Sequence, residues 1–176
     1  MTISKMTASS NMNWYVLVTR SRHEKKCEQL LKKKGFEVFL PLQKVMREWS
    51  DRKKLVDVPL FSGYIFIHYD ESRRQEVLNV PGIARFLRNV EHDATIPESQ
   101  INAIRMAIDK SIDMDVTEIT FSEGEDIRII SGPFKGFFGK IVKLRSKSKI
   151  QISLDAIGKS ILIDIGKTRI EKIGRK

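Results

Sequence analysis

Cysteine is almost missing from this chain: Cys27 is the only one in 176 residues. A lone thiol excludes an internal disulfide framework and any zinc site built on cysteines. Histidine is scarce as well, with three in the chain, and no His, Asp or Glu set falls at metal-ligand spacing. His68 and His92 stand alone, as surface or core histidines usually do. Long apolar runs are missing; none approaches the ~20 residues that cross a bilayer. The opening MTISKMTASSNMN lacks the apolar core of a signal peptide, so residues 1–12 read as a disordered leader in a cytoplasmic protein. Marks of catalysis are missing too. There is no paired-carboxylate motif, no Ser-His-Asp order and no Gly-rich phosphate loop leading to Lys-Ser or Lys-Thr, which argues against an enzyme and against a cofactor or metal.

What is present is positive charge on an otherwise ordinary globular composition. Hydrophobic residues make up 41% and charged residues 31%, which excludes wholesale disorder, and the length of 176 residues fits one domain or one domain with a small appendage. Lys plus Arg number 32 against 22 Asp plus Glu, a net +10. The excess lies in two blocks: +6 over residues 1–110 (19 basic, 13 acidic) and +7 over 121–176 (13 basic, 6 acidic). Between them Asp113, Asp115 and Glu118 give −3, and the three figures sum to +10. Two basic blocks favour contact with a polyanion through phosphate neutralisation, although the same charges also serve a merely solvated surface.

Asn13–Thr19 (NWYVLVT) is β-rich and apolar, a buried first strand. Ser21 with Glu24 spells a capping box, followed by a helix with Cys27, Leu30 and Leu31 on one face and a stop at Gly35. Val38–Trp49 and Lys54–Tyr69 read as strands around a turn at Ser50-Asp51-Arg52, with Pro41 and Pro59 marking ends or bends. Ser72 with Gln75 opens a short helix ending near Pro81-Gly82, and Ile83–Val90 holds another strand. Thr95 with Glu98, and Pro97 in the first turn, begin a third helix striped by Ile101, Ile104 and Ile108. The expected class is α+β: a sandwich over 13–109, an aperiodic linker over 110–120, and a small five-stranded barrel over 121–174, where short β-branched runs alternate with Gly and Ser turns.

Gly124 to Lys140 reads GEDIRIISGPFKGFFGK, two strands around Gly132-Pro133-Phe134-Lys135-Gly136. Glycines free the backbone for positive φ and Pro133 fixes φ in the turn. This segment resembles a KOW motif, the signature of an SH3-like barrel in transcription and translation proteins. Asn13-Trp14-Tyr15-Val16-Leu17, Pro59-Leu60-Phe61-Ser62-Gly63-Tyr64-Ile65-Phe66-Ile67 and Val80-Pro81-Gly82-Ile83 resemble the N-terminal domain of the NusG family. Arg22-His23-Glu24-Lys25-Lys26, Phe39–Val45 and Trp49–Lys54 are similar to the UpxY group of specialised paralogues, linked to capsular-polysaccharide operons. Ser62 departs from the family, which usually has Pro there.

The resemblance implies a non-enzymatic transcription elongation and antitermination factor, a monomer with no membrane contact. Its N-terminal domain would dock an apolar cavity on the clamp helices of bacterial RNA polymerase and suppress pausing. The docking residues it implies are Tyr15, Val18, Phe61, Tyr64, Phe66 and Ile83, with Tyr15 and Phe61 expected to face the partner. Strand alternation offers the competing reading that many of these are core. Arg20, Arg22, His23, Lys25 and Lys26, where the first strand meets the first helix, would touch the non-template DNA strand or nascent RNA. Arg47, Arg52, Lys53 and Lys54, at the hairpin tip beside Trp49, would reach upstream DNA or the polymerase wall, or equally are the charged residues of an exposed turn. Leu154–Lys159, with Ile157 as apolar anchor and Gly158 beside it, would grip ribosomal protein S10 or the termination factor Rho. The alternative is a KOW-containing RNA-binding protein of translation or ribosome assembly, which would bind RNA through residues 121–176 alone.

Overall fold

The computed structural model describes residues 12–48, 52–118, 124–144, 147–164 and 169–173. Apart from Met12, the expected leader lies outside these residues, as do Trp49, Ser50 and Asp51. The amino-terminal unit runs β1 (Asn13–Thr19), α1 (Glu24–Lys33), β2 (Glu37–Phe39), β3 (Leu42–Glu48), β4 (Lys53–Pro59), β5 (Tyr64–Tyr69), α2 (Arg74–Leu78), β6 (Ile83–Phe86) and α3 (Glu98–Asp109). Four strands form an antiparallel sheet in the order β2-β5-β1-β6, with β1 central and paired from Asn13↔Tyr69 to Val18↔Tyr64.

Both faces of that sheet are covered, which is why β1 and β5 are apolar almost throughout instead of alternating with polar residues. On one face Tyr15, Leu17, Ile65, Ile67, Tyr69 and Phe86 pack with Cys27 and Leu31 of α1 and Val77 of α2. On the other, Trp14, Val16 and Phe66 pack with Leu60, Phe61, Ile96 and the α3 stripe Ile101 and Ile104, with Ile108 at its margin. The result is helices on both sides of a sheet, the expected α+β sandwich.

Element ends differ from the sequence reading for local reasons. The run from Val38 divides at Leu40-Pro41: β2 joins the main sheet, while β3 leaves it to pair only with β4. Ser21 does not cap α1. It lies in a turn with Arg22 at φ 61°, the helix begins after His23, and the Glu24 carboxylate instead accepts from the Gly63 N–H at 2.8 Å. Asp70, not Ser72, caps the next helical turn, accepting from the Ser72 N–H at 2.8 Å. Thr95 is bridged to Tyr15 in strand fashion and leaves α3 without a side-chain cap.

The carboxy-terminal unit holds β8 (Glu125–Ile129), β9 (Phe138–Leu144), β10 (Lys147–Leu154), β11 (Lys159–Asp164) and β12 (Ile170–Lys172), the strands of the small barrel expected there. A sixth strand, β7 (Met114–Glu118), arises from the stretch expected to be an aperiodic linker, and the sheet order is β12-β8-β9-β10-β11-β7. The β8–β9 turn carries the glycine pattern for a physical reason. Gly132 and Gly136 adopt φ 78° and 91°, Phe134 is buried against Phe137 with ring centroids 5.9 Å apart, and Lys135 is exposed. Gly139 is small because a Cβ there would meet the Gln151 carbonyl oxygen at 2.7 Å.

Candidate functional site

The six residues implied to dock a partner do not form one surface. Alternation along β1 sends Tyr15 to the α1/α2 face, with Ile83, whereas Phe61, Tyr64 and Phe66 belong to the α3 side. Tyr15 is 3% exposed and Phe61 2%, so the expectation that these two face outward is corrected. Tyr15 is sealed between Tyr69 and Phe86, and its hydroxyl donates to Glu71 Oε1 at 2.5 Å. Burial raises the phenol pKa, and the Glu71 hydrogen bond adds to it. Phe61 stands edge-on to Phe66 at 5.9 Å inside the α3-side core. Phe66 and Ile83 are buried as well.

Val18 and Tyr64 remain. They are directly paired across β1 and β5, both half-buried, and Tyr64 packs on the cluster that contains Phe61 and Phe66. The Tyr64 backbone is tightly set: its N–H bonds the Phe61 carbonyl at 3.2 Å, and preceding Gly63 sits at φ 83°. Gly63 is tied on both sides, donating to Glu24 and accepting from the Thr19 N–H at 2.9 Å. The arrangement is a small apolar spot on a rigid turn, with a phenol at its rim.

Cations border this spot. Arg85, which the sequence reading missed, is exposed on β6 opposite Val18 in the register. The only signal available was its position two residues past the Gly82-Ile83 pair. Arg20, Arg22 and Lys26 are exposed at the β1–α1 junction. Lys25 is exposed too, but its ammonium donates to the Asp57 carbonyl at 2.8 Å and braces the β3–β4 hairpin against α1. His23 is half-buried, its Nδ1 2.9 Å from the Ser21 carbonyl oxygen. Arg22 holds a left-handed conformation that costs a non-glycine residue about 1 kcal/mol, a strain found most often at functional turns.

The hairpin keeps Arg47, Arg52, Lys53 and Lys54 exposed, with Lys53 ion-paired to Glu48 at 3.2 Å. Met46 and Leu55, paired across the hairpin, are 59% and 51% exposed. Trp14, near the start of the central strand β1, is buried and stacked on His68 at 5.2 Å, with the Arg105 guanidinium over its ring. His68 is in turn 3.0 Å from Glu37, and His92 is exposed beside Glu91.

In the carboxy-terminal unit Ile157 is 5% exposed and belongs to the core, so its expected role as a surface anchor is corrected. A short 3-10 turn over Asp155–Ile157 tucks it inward, and Gly158 closes the turn at φ 63°, leaving Asp155 and Gly158 on the surface. Among the described residues no group of three or more His, Cys, Asp or Glu is placed to hold a metal ion, and no helix is long and apolar enough to cross a membrane.

Residues 12–105 match the family model described as "Transcription termination factor nusG". The chain is 27% identical over 175 residues to the transcription termination/antitermination protein NusG of Bacillus subtilis, covering 92% of this chain and 98% of that protein. Against the protein of the same description from Borreliella burgdorferi it is 28% identical over 183 residues, covering 91% and 98%. Among solved structures it is similar to the one described as "Domain interaction in Thermotoga maritima NusG", with a TM-score of 0.58, 22% identity and coverage of 93% of this chain and 98% of that one. That likeness concerns the fold.

Proposed function

This chain belongs to the NusG family of transcription factors, not enzymes, and from that premise we propose that it binds the clamp helices of bacterial RNA polymerase and suppresses pausing or termination. The observation that carries this reading is the half-buried Val18–Tyr64 pair, backed by Phe61 and Phe66 and bordered by cations. A partner helix would lay an apolar residue on the Val18–Tyr64 spot, while Phe61 and Phe66 fix the spot's shape from behind. Tyr15 and Ile83 would act only by holding the sheet from its other face. Binding favours whichever polymerase conformation presents both helices, and so shifts the population away from paused states.

Arg20, Arg22, Lys26 and Arg85 would contact phosphates of the non-template DNA strand, with His23 at the edge of the track. Arg52 and Lys53 would add contacts from the hairpin. We propose further that the factor serves one operon class, polysaccharide biosynthesis, a reading supported by the Arg22–Lys26, Phe39–Val45 and Trp49–Lys54 segments. Ribosomal protein S10 or Rho, if retained as a partner, would meet the 154–159 turn through Asp155 and Gly158, with Ile157 shaping it from within.

The test is co-purification with core RNA polymerase and a pausing assay on defined templates. Tyr64→Ala is the informative variant because Tyr64 reaches the surface; Phe61→Ala would cost about 3–5 kcal/mol of core packing and confound binding with folding. Occupancy across the chromosome then separates one locus from a polymerase-like distribution.

A further inference from the structure

The connecting stretch is not a passive tether. β7 lies antiparallel along the outer edge of β11, from Lys159↔Glu118 to Ile163↔Met114. Its residues differ in burial: Met114 is buried, Asp115 and Glu118 are exposed, and Val116 and Thr117 are half-buried. Both exposed acids face cations of the barrel. Glu118 pairs with Lys159 on β11, and Asp115 with Lys149, which reaches over from β10. The carboxylate of Asp115 raises the Lys149 pKa, as a persistent ion pair does.

β7 is held to β11 by five register pairs, against six between β10 and β11, so what sets it apart is its side chains. β10 and β11 share six register pairs and bury Ile150, Ile152, Ile161 and Ile163 between them and the core. β7 adds buried Met114, half-buried Val116 packed on the core and two surface ion pairs, and such pairs are weak and salt-screened. Without β7, β11 would present unpaired backbone N–H and C=O groups flanked by two lysines. An edge of that kind accepts an added strand. At the opposite edge of the sheet, β12 is only three residues long, too short to offer the same template.

We propose that the outer edge of β11, with Lys149 and Lys159, is a receptor site for an extended acidic peptide strand, and that β7 is the occupant the protein carries for it. The resident sequence Met114-Asp115-Val116-Thr117-Glu118 defines the ligand chemistry: an apolar residue turned to the core, and carboxylates spaced to meet the two ammonium groups. A partner segment with this pattern adds to β11 by backbone hydrogen bonds and displaces β7.

A fluorescein-labelled peptide of residues 112–119 titrated into the full chain reads this by anisotropy. Asp115→Lys with Glu118→Lys weakens the resident strand, and the peptide then binds at least fivefold more tightly than to the unaltered chain. Adding Lys149→Glu with Lys159→Glu removes the gain. Amides of residues 159–164 exchange faster in the double lysine variant and regain protection with peptide, while β8–β9 amides stay protected. Met114→Asp, which removes the buried anchor, gives the same pattern by a route independent of charge. Protection of residues 159–164 unchanged in both variants, peptide affinity no higher than in the unaltered chain, or equal binding of a scrambled peptide would each overturn the proposal.

Discussion

Replacing Glu24 with Ala removes a carboxylate that is almost fully buried at the start of α1 and accepts the Gly63 N–H at 2.8 Å. The Gly63 N–H then loses its partner in a half-buried site, which costs about 1–3 kcal/mol. Loss of an anion in the first helical turn adds about 0.3–1 kcal/mol. The expected total is therefore about 1.3–4 kcal/mol. In a unit of this size that lowers Tm by about 4–8 °C per kcal/mol, on the order of 5–30 °C in all. Glu24→Gln keeps a side-chain oxygen at the same reach and loses about 1 kcal/mol, the charge-assisted part of the bond. Differential scanning calorimetry of the two variants measures both shifts. Because Gly63 precedes Tyr64, the Ala variant also loses polymerase affinity at temperatures where it is still folded, and the Gln variant retains most of it. Equal Tm values for Glu24→Ala and the unaltered chain, or equal losses for Ala and Gln, would refute the role assigned to this bond.

Gly82 sits at φ 101°, and a Cβ there would stand 2.7 Å from Cys27 Sγ, so Gly82→Ala destabilises by more than 2 kcal/mol and Cys27→Ala recovers part of that loss in the double variant, a coupling read from urea midpoints. Burial pushes the Tyr69 pKa up to about 12, and burial and Glu71 hold Tyr15 above the usual range, so the expected result of alkaline difference spectroscopy is two late-ionising phenols. The unfolded phenols release protons near pH 10, so stability is intact below that and declines as pH rises toward 12, by up to about 1.4 kcal/mol per pH unit for each late phenol. Arg22→Gly relieves the left-handed strain and raises stability by up to about 1 kcal/mol while weakening binding to single-stranded DNA, so chemical denaturation and a DNA titration move in opposite directions.

Much of the architecture is legible from short-range chemistry. The β1 run, the Cys27–Leu31 stripe with its stop at Gly35, and the Ile101–Ile104 face each declare an element and its buried side. Gly132 and Gly136 likewise mark a turn that needs positive φ. What escaped depends on distant partners. Glu24 fits a capping box by spacing, yet its carboxylate is claimed by Gly63, 39 residues away. Residues 110–120 show no clear period because β7 owes its existence to the edge of β11 and to Lys149 and Lys159, not to its own pattern. The exposed positions of the site were harder still. Aromatics in a family motif do not reveal which way they point, and a sheet covered on both faces hides Tyr15 on one side and Phe61 on the other. Arg85 carries no motif and becomes visible only through its register with Val18.

The most direct test of polymerase docking is the affinity of core RNA polymerase for the Tyr64→Ala variant, measured beside the unaltered chain at matched fold and salt. The expected result is a loss of at least tenfold in affinity, with loss of pause suppression and Tm changed by only a few degrees. Unchanged affinity in a folded Tyr64→Ala variant would contradict the assignment of the Val18–Tyr64 spot as the polymerase-docking surface.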